Sequence, residues 1–162
     1  MELTSNLGLK NIWKVTCLDA NGNVKWNEEK KNLITTVGLN HILDTQFHAD
    51  TQVTTWYIGL KGAGTPAAGD TMASHATWSE ISDYSGDRKE WTEGAASAGS
   101  MTNASSVDFT INGTATIAGA FLNTASTGTA GTLYGVVDFA SARSVISGDT
   151  LQVTVTVTAA SA

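Results

Sequence analysis

The chain has 162 residues, a mass of 16.9 kDa and a formal net charge of −6, with charged residues at 15% against a usual share of about 25%. An acidic chain argues against a nucleic-acid partner, because phosphate contact needs a basic face; no apolar run reaches the roughly 18 residues of a membrane span. The lone Cys17 excludes an internal disulfide framework and a thiolate zinc site, so the expectation is one soluble, Thr/Ala/Gly-rich domain over 1–162.

Residues 11–31 predict a β-hairpin. Trp13, Val15 and Cys17 alternate with Ile12, Lys14, Thr16 and Leu18, the period of a strand with one apolar face. Asn21-Gly22 supplies the positive φ angles of a tight turn, and the return strand runs from Val24 through Trp26 to about Lys31. A helix follows over 35–48. Thr35 or Thr36 caps its first turn. Leu39, Ile42, Leu43 and Phe47 form a stripe that predicts packing on a sheet.

Thr54 to Leu60 reads as a strand with bulky residues on both faces, hence a central one. Residues 61–106 form a long irregular segment, broken by Gly62, Gly64, Pro66 and Gly69. Asp70 to His75 has the pattern of one capped helical turn. A loop this long is uncommon in a compact domain and is often functional. From 105 to 158, apolar alternation runs through Val107–Ile111, Thr114–Leu122, Thr132–Phe139 and Leu151–Val157, with glycines between. Strands so spaced predict a mainly β fold, an antiparallel sandwich or jelly roll with one short α-helix and the N-terminal hairpin.

Gly-Asp-Thr occurs at 69–71 and again at 148–150, each time the signature of a turn whose Asp bonds nearby amides. Beyond Ala95 the only charged side chains are Asp108, Asp138, Arg143 and Asp149. Such a charge-poor β region fits either a surface that meets other subunits or a wet, Thr-rich face.

No pattern of catalytic residues emerges. His41 and His48 are seven apart on the predicted helix, about 10 Å along its axis and too far to share a metal. Cys17 sits mid-strand on an apolar face, the place of a buried structural thiol. No Gly-x-Ser-x-Gly elbow and no Walker motif are present. The acids around Arg88 and Lys89 read as a solvated, mixed-charge loop. The sequence therefore predicts no enzyme, no metal and no cofactor. The remaining candidate is the aromatic loop, with Trp78, Tyr84, Arg88 and Trp91 as candidate interface residues. The aromatics fit three roles: core, protein contact, or a platform for sugars.

Several phrases carry a resemblance to a known family. They are Asn32-Leu33-Ile34-Thr35-Thr36-Val37-Gly38-Leu39-Asn40-His41-Ile42-Leu43-Asp44, Trp56-Tyr57-Ile58-Gly59-Leu60, Asp70-Thr71-Met72-Ala73-Ser74-His75, Trp78-Ser79-Glu80, Tyr84-Ser85-Gly86 and Arg143-Ser144-Val145-Ile146-Ser147-Gly148-Asp149-Thr150-Leu151. From about Asn32 to Thr158 the chain resembles small virion structural proteins of tailed bacteriophages, and among them the capsid cement or decoration proteins of short-tailed phages. That resemblance implies a non-enzymatic virion protein at the head surface, assembled in the host cytoplasm. Its implied partners are the major capsid protein and further copies of itself. No binding residue transfers with it, and the N-terminal hairpin lies outside it. The alternative is a tail-associated or receptor/carbohydrate-binding virion module.

Overall fold

A computed structural model describes residues 7–161. β1 (Leu7–Leu18) and β2 (Val24–Lys31) pair antiparallel as the expected hairpin. Trp13, Val15 and Cys17 point inward from β1 and are at most 2% exposed. In the turn, Gly22 alone takes a positive φ, of 83°. Asn21 does not share it, because Asp19 Oδ1 accepts from both Asn21 N and Asn23 N and closes the turn from its other end.

Beyond β3 (Leu33–Ile34) and the helix α1 (Thr36–Phe47) the chain is almost entirely β. β4 (Trp56–Lys61) is followed by the short strands β5 (Glu80–Ile81), β6 (Lys89–Trp91) and β7 (Ser100–Thr102), then β8 (Val107–Thr110), β9 (Ala115–Asn123), β10 (Leu133–Val145) and β11 (Thr150–Ser161). One sheet has the order β2-β1-β11, with β8 and β7 sharing the far edge of β11. The other runs β3-β10-β9-β4, with β5 and β6 sharing the far edge of β4. All pairings are antiparallel. β4 is central, as its two bulky faces predict.

The segment 61–106 is thus less irregular than its composition suggests, since β5 and β6 extend one sheet and β7 the other. The helical turn expected at 70–75 is instead a tight turn in which Ser74 N donates to both the carbonyl and the hydroxyl of Thr71.

The main core lies between the sheets. Trp13, Phe109, Leu151 and Val153 come from one side; Ile58, Leu60, Ile117 and Val137 come from the other. A smaller core of Met72, Trp78, Phe121, Leu133 and Val136 covers the outer face of the second sheet. That sheet is therefore buried on both faces.

A bulge in β10 ties the layers together. Register passes from Asp138↔Gly119 to Arg143↔Ile117, five steps along β10 against two along β9. The extra length bends β10 towards β2. There the Ala140 amide donates to Glu28 Oε1, and Arg143 Nη2 lies 3.6 Å from Glu28 Oε2. Phe139 meets the Trp26 ring edge-on at 5.8 Å, with Arg143 5.6 Å over the same ring.

Helix α1 departs from expectation. Thr35 is the N-cap, accepting from Gly38 N at 3.1 Å. The predicted apolar stripe, however, does not face the sheet: Leu39, Leu43 and Phe47 are 41%, 53% and 84% exposed. The helix docks instead through Gly38, where an added Cβ would sit 2.3 Å from the Tyr134 carbonyl oxygen of β10. This close approach fixes the line Gly38, His41, Ile42 and Thr45 as the inward face. Most of the apolar stripe is thereby turned outward.

Candidate functional site

The four candidate interface residues lie inside the protein. Trp78, Tyr84, Arg88 and Trp91 are 5%, 4%, 5% and 4% exposed, so none presents a contact surface in this conformation. Trp78, Arg88 and Trp91 are each held by a polar brace that suits burial, because an unpaired buried polar group is costly.

Trp78 Nε1 donates to Asp70 Oδ2 at 2.9 Å, and its ring stacks on His75 at 3.9 Å. Asp70 Oδ2 also accepts from Ala67 N at 2.9 Å. Its counterpart in the second Gly-Asp-Thr, Asp149, accepts from Ile146 N at 2.9 Å and from Lys25 Nζ at 2.5 Å. In both copies the Asp bonds the amide three residues back, which is the turn chemistry expected, and adds one distant partner. Trp91 Nε1 donates to Asn103 Oδ1 at 2.6 Å, and Asn103 Nδ2 donates in turn to the Val153 carbonyl of β11. Tyr84 stands edge-on to Phe109 at 4.9 Å. Burial pushes its phenol well above the usual range, and the nearby Glu80 adds to the rise.

Arg88 is the reverse of the solvated loop residue that its neighbours suggest. Its Nε and Nη2 donate to the two oxygens of Glu80, both at 2.7 Å. Nη1 and Nη2 also donate to the Ala125 and Gly128 carbonyls, at 2.9 and 2.6 Å, and the guanidinium lies 5.3 Å over Phe121. One side chain thereby fastens the loop between β9 and β10 to β5. Lys61 is comparable. It is fully buried, its Nζ 2.7 Å from Asp138 Oδ1 and donating to the Gly62 and Gly64 carbonyls.

Three of the four charges beyond Ala95 serve as such braces: Asp138 with Lys61, Arg143 with Glu28, Asp149 with Lys25. Cys17 is buried and unpaired, and burial, with Asp149 second, pushes its thiol up to about 11. Among the described residues no group of three His, Cys, Asp or Glu side chains is placed to hold a metal.

Among the described residues, four of the six large hydrophobic side chains left exposed gather on α1 and β3. Leu33, on β3, is 36% exposed and joins Leu39, Leu43 and Phe47 on one surface. Between β3 and α1 runs an open groove of about 770 Å³, lined by Leu9, Leu33, Ile34, Leu39, Leu43 and Phe47. The stripe on α1 carries the signal for this surface, but its periodicity does not say which way it points.

The chain is a two-sheet sandwich braced by internal ion pairs, with exposed apolar side chains on its outer helix. The family model described as Podophage GP4 fiber I protein gp80 matches residues 33–160, so the chain belongs to that family and is a bacteriophage virion structural protein. The match leaves β1 and β2 outside it. A search of curated proteins gave no match.

Proposed function

We propose that this chain is a component of the phage tail fibre that works by fitting against neighbouring subunits, itself included, and carries out no reaction. The observation that carries this reading is the family description, which names a fibre; for that reason the fibre reading takes precedence over head cement. The absence of a reaction is supported by the structural use of four carboxylates: Glu80, Asp138 and Asp149 are each held by a cation, and Glu28 by Arg143 and a backbone amide. A sugar platform built on Trp78 and Trp91 is disfavoured by their burial.

Separating the heads and tails of the phage that encodes this chain, and measuring the chain in each by mass spectrometry, tests the proposal. Recovery with the tails is expected. Recovery with the heads, in the molar range of the major capsid protein, would return the chain to a cement role.

A further inference from the structure

We infer that the cavity between the two sheets, beside α1, is a binding site for a small uncharged aromatic molecule of one or two rings. The inference does not depend on where in the particle the chain sits.

The cavity has a volume of about 170 Å³. Trp56, Trp91, Leu122 and Tyr134 of the second sheet face Met101 and Val157 of the first across it. Ile42 of α1 completes the lining. The polar ends of two of these aromatics are engaged away from it: Trp91 Nε1 donates to Asn103, and the Tyr134 hydroxyl donates to Asn11 Oδ1 at 3.4 Å. The walls are therefore nearly all carbon. An apolar cavity of about 150 Å³ stays dry and admits a benzene-sized molecule, so the lining suits a ring better than water. The aromatics already stand in the edge-to-face order that an added ring extends: Trp56 meets Tyr134 at 5.7 Å, and His41 meets Trp56 at 5.6 Å.

The surroundings select the ligand further. A recess of about 300 Å³ adjoins the cavity, sharing Ile42, Trp56 and Met101 and adding His41, Thr45, Gln46 and Gln52. Among the described residues no Lys or Arg lines either space, and Asp50 Oδ2 lies 3.9 Å from His41 Nδ1. An anion would lose its hydration there without gaining a fixed positive partner. Two buried polar atoms at the borders have no protein partner, Thr45 Oγ1 at the recess and Asn11 Nδ2 beside the cavity. Asn11 is 2% exposed and is the register partner of Val157 on the same face. An unpaired buried donor is costly, and a hydroxyl or carbonyl carried by the ring supplies the acceptor.

Nuclear magnetic resonance titration of the full chain with 4-methylphenol tests this. Saturable binding is expected, with a dissociation constant of about 1 mM or below. The indole N–H signals of Trp56 and Trp91 should move, while that of Trp78, on the outer face of the second sheet, stays in place. Val157→Phe fills the cavity and is expected to weaken binding by about tenfold or more. Met101→Trp serves should that variant misfold, with circular dichroism as the check. 4-Hydroxybenzoate, which carries a carboxylate in place of the methyl group, is expected to bind at least about tenfold more weakly. No saturable shift at Trp56 and Trp91 would overturn the inference. So would equal binding by the filled variants, or 4-hydroxybenzoate binding as tightly as 4-methylphenol. Self-association lost in Val157→Phe, with no 4-methylphenol bound by the wild type, would also overturn it and give the cavity to a side chain of a neighbouring subunit.

Discussion

Replacing Arg88 by Ala separates its two conceivable roles most sharply. In the structure its guanidinium makes a two-point pair with Glu80 and donates to the Ala125 and Gly128 carbonyls. Removing one partner of a buried ion pair typically costs about 3–5 kcal/mol. Here Glu80 is 29% exposed and water recovers part of the loss, which points to the lower end, about 3 kcal/mol. The two carbonyls left in the half-open loop add about 1 kcal/mol. A total near 4 kcal/mol is a large share of the roughly 5–15 kcal/mol that holds a domain together.

In a urea titration with a slope of about 2 kcal/mol/M, the midpoint should fall by about 2 M with the slope unchanged. Glu80→Gln should cost less alone, and the double variant less than the sum, because both remove one interaction. A midpoint shift equivalent to less than about 1 kcal/mol, accompanied by failed assembly of the particle, would refute this reasoning and make Arg88 a contact residue after all.

Other substitutions probe the braces and the helix seat. Trp91→Ala should destabilise the fold by about 3–5 kcal/mol, read by thermal or urea unfolding; near-native stability with lost assembly would contradict the core placement. Gly38→Ala should cost about 1–3 kcal/mol by pushing α1 off the Tyr134 carbonyl, and hydrogen exchange should then speed up in α1 before the sheets. The Cys17 thiol, pushed up to about 11 by burial, favours the folded state fully below the free-thiol pKa of about 8.5; that contribution disappears as pH rises towards about 11. Lys25, its pKa raised by the hydrogen bond to Asp149, loses its contribution over the alkaline range above its ordinary value. The melting temperature should therefore fall above pH about 9, and less steeply in Cys17→Ala; a flat profile would contradict this. Native Cys17 should also resist a thiol reagent at pH about 8 and react on unfolding.

The parts of the fold legible in the sequence are those set by local periodicity. The alternation around Trp13 and the glycine at 22 specify the hairpin without help from the rest of the chain. The same holds for β4, whose bulky residues on both faces call for a layer over each, as the main and the smaller core provide. The helix was legible as a helix, but its seat was not. Periodicity weights large side chains, and α1 is docked by Gly38, which has none. The buried placement of Trp78 and Trp91 depends on Asp70 and Asn103, eight and twelve residues away, and nothing in spacing alone couples them. Arg88 misleads for a similar reason. Its acidic neighbours suggest a solvated loop, while its actual partners are Glu80 and two carbonyls of a loop some forty residues on.

The bulge in β10 and its clasp on Glu28 are equally silent in the sequence, since they join positions more than a hundred residues apart. The apolar face of α1 was visible as composition and is given meaning only by the side of the helix that docks.

Electron cryo-microscopy of the intact particle tests the central claim most directly, by locating the two-sheet sandwich and its outer helix in the density. The sandwich is expected in the fibres at the tail, seated against protein neighbours. Density for it between capsomers on the head, with none in the fibres, would contradict the assignment.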